Sequence, residues 1–416
     1  MPPENGPTFG VCSLVIVHAI LVEQAPLTID MAVESALRRH PALSAARKDR
    51  DAAVLGSRSA AALANPHLLL SPAIGSINGT TEELLLTQPL ELNGSRTARR
   101  KLATARSTEA VRRLEAEARG VVALVKGKYI DLWRERMLLA LAEASRDDLA
   151  AIDTATRRQV ELGGRAGVDA TRSGLERVRA EQRVVLARGR VKSAEAALSV
   201  AMGLDATTQP GPLESPAVPT QGLDLESALA GALAARGDLA AETALVDALR
   251  FENALVRTEG LPDLAPQFRS QQVLTRKPTT RDYGFSVAIQ WPVLDWGGRR
   301  ARLAQGDAQV AAQRDRVDAL RRTVAEEVAS AHARWVAAQA VLAGTEEAAA
   351  GADRLLEAVR IGHREGSLPL PTVLDAQRAH RETLAERIEA KSEAMAAWIA
   401  LEHAAARFPI PGESVR

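Results

Sequence analysis

The stretch QWPVLDWGGRRARLAQGDAQV, residues 290–310, reads as the end of a strand, a turn through Gly297 and Gly298, and the first turns of a long polar helix. A second copy, QPLELNGSRTARRKLATARS, occupies residues 88–107. Its Pro89, Gly94, Arg96 and Arg99 stand where Pro292, Gly297, Arg299 and Arg302 stand later. A strand-to-helix transition written twice predicts one pseudo-symmetric body made of two repeats, each about half of the 416 residues.

Working outward, a shift of 196 residues places Leu27, Ile29, Ala32, Val33 and Leu43 on Leu223, Leu225, Ala228, Leu229 and Leu239, and Pro66 on Pro262. The expected shift is 203 at the turn, 202 at Trp133 and Trp335, and 199 between the LGG of 162–164 and the IGH of 361–363. Proline breaks helix interiors, and none occurs at 90–209 or 293–368. Each tract is therefore expected to be a helical hairpin, broken near Gly163, Gly164 and Gly167 in the first and near Gly362, Gly366, Pro369 and Pro371 in the second. An outgoing arm of about 65 residues would reach on the order of 100 Å. Val324, Val328, Ala331, Trp335, Ala338 and Leu342 alternate steps of four and three, a coiled-coil seam.

The expected organisation is a signal peptide at 1–25, a first repeat at 26–208, an exposed Pro-rich linker at 209–222, a second repeat at 223–406 and a tail at 407–416. Residues 10–22 are apolar over too short a distance to span a bilayer and read as the core of a secretory signal. Before each hairpin comes a strand pair, near 66–76 and 81–91, then 263–274 and 282–292. In the last strand Tyr283, Phe285, Val287, Ile289 and Trp291 share one face, with Gly284, Ser286, Ala288 and Gln290 on the other. That alternation fits a half-buried soluble sheet or a membrane-barrel strand. Four strands cannot close a barrel, so several chains must contribute to one.

Composition narrows the function. Lys plus Arg is 53 against 52 for Asp plus Glu, which leaves no footprint for nucleic acid. The lone Cys12 excludes an intramolecular disulfide and a cysteine zinc site. Seven histidines include no H-E-x-x-H motif, and no glycine-rich phosphate loop follows a strand, so neither catalysis nor a metal or other cofactor is expected. His363 with Glu365 could touch a passing metal ion, or be a solvated loop histidine.

QPLELNGSR and WPVLDWGGRR between strand and helix, with LGGRAGVDA and IGHREGSLPLPTVLDAQ at the hairpin tips, resemble the TolC family of outer-membrane efflux proteins, closest to its CzcC-like heavy-metal branch. The resemblance implies an α+β membrane protein. Three identical chains would give four strands each to a twelve-stranded outer-membrane barrel, continued by a periplasmic helical barrel. It further implies docking to a periplasmic adaptor and an inner-membrane pump, often proton-driven, to export small solutes such as heavy-metal cations. Drug efflux, type I protein secretion and a non-membrane coiled-coil protein are the alternatives.

On that reading Tyr283, Phe285, Val287, Ile289 and Trp291 face lipid. Gly94, Gly297 and Gly298 make the strand-to-helix turns, with Arg96, Arg99, Arg299, Arg300 and Arg302 at the membrane rim. Leu162, Gly163, Gly164 and Gly167, with Ile361, Gly362, His363 and Gly366, either meet the adaptor or only break the helix. Asp375 matches the acidic periplasmic constriction. Thr372 stands where many relatives carry a second acid, which leaves three charges per ring instead of six. The alternative for Asp375 is solvation or pairing with Arg378.

Overall fold

The computed structural model describes residues 26–72, 81–164, 166–219, 222–273 and 281–408. The expected signal segment with Cys12, and residues 409–416 of the expected tail, lie outside them. The element order runs twice. Helices α1 (Ile29–Arg39) and α2 (Pro41–Ala61) precede strands β1 (His67–Ser71) and β2 (Thr81–Thr87) and the hairpin α3 (Ser95–Glu161) and α4 (Gly167–Ala201). Then come α5 (Leu225–Ala235), α6 (Gly237–Thr258), β3 (Asp263–Val273), β4 (Arg281–Gln290), α7 (Gly298–Arg364) and α8 (Leu370–Ala404).

The two long arms α3 and α7 have 67 residues each, and α4 and α8 have 35 each. The shift is 203 at both ends of both arms. This corrects the drift expected from Trp133/Trp335 and from LGG/IGH: Trp335 stands over Leu132, and Gly366, not Gly362, stands over Gly163. The extra residues enter between β3 and the second turn, and the coiled-coil register carries no insertion afterwards.

Helix α3 packs on α4, α7 on α8, and α3 on α8, so the arms run in the order α4–α3–α8–α7. Toward the sheet α2 takes over from α4 against α3, and α6 lies between α3 and α7. Alanine and valine allow this close packing. The seam residues Val324, Val328 and Trp335 are fully buried, and Trp335 meets Trp398 at 5.0 Å between rings. Tyr129, also fully buried, donates its hydroxyl to the carbonyl of Leu27 at 2.7 Å or of Glu214 at 2.8 Å.

That tyrosine corrects the exposed linker. The described part of the linker is extended but strapped down: Leu27 N–H donates to Pro212, Glu214 N–H donates to Leu27, and Arg136 donates to the carbonyls of Pro210 and Gly211. Pro216 is buried. Extended backbone gains nothing from a helix or sheet of its own, so its polar groups are satisfied by the body it crosses.

The sheet is antiparallel in the order β1-β2-β3-β4, with β1 and β4 as free edges. Its register aligns one apolar face. Leu68, Leu86, Phe268 and Phe285 form one rung, and Leu70, Leu84, Ser270 and Tyr283 the next. Phe268 stacks on Tyr283 at 6.3 Å between rings and meets Phe285 at a tilt at 5.1 Å. The other face carries the Glu83–Arg269 ion pair at 3.0 Å, although Leu69 and Leu85 break its polarity. Strand β4 ends at Gln290, so Trp291 lies one residue beyond it.

Candidate functional site

The strand-to-helix turns differ from the expectation in one residue and in the role of the arginines. Gly94 and Gly297 both take φ of +84°, the left-handed region that glycine enters without cost. Gly298 is the first residue of α7 and does not make the turn. The turns are closed by side chains: Asn93 Oδ1 accepts from Ser95 N–H, and Asp295 accepts from Gly297 and Arg299 N–H at 3.1 and 3.0 Å. Those two amides, Gly297 first, hold the Asp295 carboxyl below its ordinary range.

Arg96 donates twice to the Ala61 carbonyl, at 3.0 and 2.8 Å, and Arg99 reaches the carbonyls of Ala60 and Ala62. Both thereby cap the C-terminus of α2, where unpaired carbonyls favour a cation. Glu91 completes the clamp: its hydrogen bond from Arg99, 3.0 Å at Oε2, depresses the Glu91 carboxyl and raises the guanidinium. In the second repeat Arg299 lies over Gly260, where a Cβ would stand 0.8 Å from its Nη1, and Arg302 pairs with Glu259 at 2.7 Å. Four of the five expected rim arginines thus pin a turn to the helix before the strands. Arg300 is exposed.

At the first hairpin tip Leu162 is 79% exposed, Gly163 takes φ of +76°, and Gly164 N–H closes the turn on the Gln159 carbonyl at 2.9 Å. Space is open around Gly163 and Gly167. At the second tip Gly366 is the left-handed residue, φ +79°, again with open space. Ile361, Gly362 and His363 instead form the last turn of α7. A Cβ on Gly362 would meet Leu368 of its own loop at 2.8 Å, so this glycine answers an internal contact. His363 Nδ1 bonds the Leu368 carbonyl at 2.7 Å, which makes it a loop staple.

Behind the first tip lies a polar cluster that sequence reading missed. Asp153, buried between α3 and α4, accepts from Ser173 at 2.7 Å, Arg157 at 3.0 Å and Arg177 at 3.2 Å. Burial raises the carboxyl, but Ser173 and the two guanidiniums outweigh it and the group stays below its ordinary range. Gly174 makes the room, since a Cβ there would meet Arg157 at 2.9 Å. An isolated aspartate in an arginine-rich helix gives no sign of this in the sequence.

Asp375 stands on α8 between the buried Val373, Leu374, Ala376 and Gln377, with its own side chain 73% exposed. It points away from the packing of its own chain. Arg378 Nη1 lies 3.7 Å from it, and Arg378 Nη2 lies 3.5 Å from Glu176 on α4. Thr372, one turn earlier, is half-buried. Arg360 bridges to Asp148 at 2.7 Å, a second tie between the hairpins. Among the described residues no cluster of three metal-ligating side chains occurs, and no helix is long and apolar enough to cross a membrane.

Two helical hairpins on one amphipathic sheet are the form of a known family, whose model, outer membrane efflux protein, matches residues 32–204 and 228–407. The chain belongs to that family. The cobalt-zinc-cadmium resistance protein CzcC of Cupriavidus metallidurans is 29% identical over 371 residues, covering 85% of this chain and 84% of that one. The outer-membrane channel OprN superposes with a TM-score of 0.76 at 18% identity, over 91% of this chain and 89% of that one. The outer membrane protein VceC of Vibrio cholerae gives 0.76 at 16%, over 91% and 95%. The protein is an outer-membrane efflux channel of the TolC type, and its long hairpins extend into the periplasm.

Proposed function

We propose that three copies of this chain assemble into one exit duct, a twelve-stranded barrel continued by a helical conduit, which passes heavy-metal cations outward from an adaptor and a proton-driven inner-membrane pump. The observation that carries the assembly is the four-stranded sheet: one face is apolar, both edges are free, and so few strands cannot close on themselves. Lipid lies against Tyr283, Phe285, Val287 and Ile289, and Trp291 marks the end of that face. Asp375 rings the periplasmic constriction. The open glycine tips around Gly163 and Gly366 receive the adaptor.

The cargo rests on the similarity to CzcC, a cobalt-zinc-cadmium resistance protein. Cells lacking this chain should accumulate cobalt, zinc or cadmium when challenged, as read by elemental mass spectrometry, with organic drugs retained at the ordinary level. Drug accumulation with unchanged metal content would replace the metal duct with a drug duct.

A further inference from the structure

Two helices from different hairpins share a patch of unbalanced charge. On α4, Glu176, Arg179 and Arg183 follow at steps of three and four and so lie on one flank. On α8, Gln377 and Arg378 stand one turn before Arg381, four and three residues away. The two sets meet, because Arg378 Nη2 lies 3.5 Å from Glu176. Glu176 and Arg378 each stand roughly two and a half turns into their helix, behind the tips.

Glu176 is already committed: Arg179 Nη1 donates to it at 2.8 Å, and Arg378 approaches it from the other helix. The further acids in reach are Asp375, 3.7 Å from Arg378, and Glu382, 3.2 Å from Arg381. Their side chains are 73% and 59% exposed, so solvent screens them. Arg381 itself is only 19% exposed. Arg183 fares worse, since its Nη2 is buried with no hydrogen-bond partner among the described residues. Burial first, and then Arg381, hold that guanidinium below its ordinary range; Arg378 and Arg179 add to the repulsion and Glu176 opposes it.

Gln377 supplies a second, independent sign of an unfilled polar site. It is 8% exposed, and both atoms of its amide are buried without a partner. Buried polar groups left unpaired are destabilising, and a buried cation beside like charges is more so. The charge also distinguishes this hairpin from its twin. The positions 203 residues on from Arg179 and Arg183 are Glu382 and Glu386, so an arm at this height has no general need of positive charge.

We propose that this patch is a binding site for a multivalent oxyanion, phosphate or sulfate in kind, held by Arg183 of α4 and Arg381 of α8 with Arg378 and the Gln377 amide beside it. A guanidinium presents a planar fork of N–H donors that matches two oxygens of such a group, and a tetrahedral anion has oxygens enough for donors from both helices. Chloride supplies charge without that geometry. The bound anion ties α4 to α8, and with them the first hairpin to the second just behind the tips. One chain makes the whole site, so it stands independently of the assembly and cargo proposed above.

The test is calorimetric titration of the purified full-length channel at neutral pH with sodium phosphate, sodium sulfate or sodium chloride at matched ionic strength. Phosphate and sulfate should give saturable heat at one anion per chain, and chloride none. Arg183→Gln and Arg381→Gln should each weaken phosphate binding by about tenfold or more, the loss of a charge-assisted hydrogen bond. Arg322→Gln, an exposed arginine on α7 far from the tips, should leave it unchanged. Arg183→Lys keeps the charge and loses the fork, and should bind phosphate less tightly than the native chain and more tightly than Arg183→Gln; circular dichroism and native mass check that each variant is folded and assembled. No saturable heat in the native channel, equal heat with chloride, or native affinity in both glutamine variants would overturn the site. A channel that carries no metal would leave these results untouched, so the cargo and the anion site fail separately.

Discussion

Asp153 and Ser173 meet at 2.7 Å between α3 and α4, while the positions standing over them in the second repeat, Leu356 and Ala376, belong to an apolar cluster. One hairpin tip is held by a charged network and its twin by hydrocarbon. Removing the carboxylate strands two guanidiniums and a hydroxyl, at a cost of about 2 kcal/mol. Asp153→Ala should raise amide exchange at the first tip, and Asp153→Leu with Ser173→Ala, which copies the second repeat, should restore part of the protection.

The same carboxyl gives a pH dependence. Its folded pKa is depressed, so its stabilisation is complete above the unfolded value, about 4, and is lost as pH falls through the folded value. The protection factor at the first tip, which removes the intrinsic pH dependence of amide exchange, should therefore be flat from neutral pH down to about 4 and fall only below it. In Asp153→Ala that acid-dependent fall should be absent.

The linker strap predicts a second stability effect. The Tyr129 hydroxyl serves two carbonyls from a fully buried position, and burial, with Glu214 nearby, pushes its pKa up to about 12. It remains a donor throughout the physiological range. Tyr129→Phe should cost about 1 to 2 kcal/mol, since it leaves a carbonyl less well satisfied. Limited proteolysis between Gln209 and Pro219 should accelerate in the variant while the arms remain resistant.

Much of this fold was legible because its signals are backbone rules: proline-free tracts, alternating strands and a duplicated glycine turn. The register at the tips was not, because a helix rich in alanine and glycine offers several equivalent matches. Gly362 mimics a turn glycine although the positive φ belongs to Gly366. The arginine clamps were hidden for another reason. Arg96 and Arg99 look like surface charge until α2, whose C-terminus they cap, is brought beside them from 35 or more residues earlier.

The turns can be tested residue by residue. Gly297→Ala places a Cβ at φ +84° and should cost about 1 kcal/mol, as should Gly94→Ala. Gly298→Ala puts a better helix former at the first position of α7, in open space, and should be neutral or stabilising. Thermal dissociation of the assembled channel, compared across the three variants, checks the order.

Lipid contact is tested on the two faces of one strand. Phe285 is 87% exposed, and Phe285→Arg or Ile289→Arg should cost about 2 to 4 kcal/mol near mid-bilayer and less toward an interface. Ser286→Arg, on the opposite face, should be tolerated. Folding into lipid vesicles, followed by the gel shift of heated against unheated samples, separates them. Equal assembly of all three would remove the apolar face from the bilayer.

The gate prediction turns on Asp375. Its exposure sets it away from its own chain, and its companion Arg378 is shared with Glu176, so neither contact neutralises it fully. Three such carboxylates near one axis repel one another and attract cations, which favours a closed state that is weakly held and sensitive to ions. Trimer in planar bilayers should be blocked by divalent or trivalent cations added on the periplasmic side. Asp375→Asn should raise the blocking concentration by roughly tenfold, equivalent to about 1.4 kcal/mol. Thr372→Asp, which supplies the second acid, should lower it. Equal block of the native channel and Asp375→Asn would take the constriction away from this residue while leaving the duct itself untouched, because the barrel and conduit depend on the sheet and arms and not on this carboxylate.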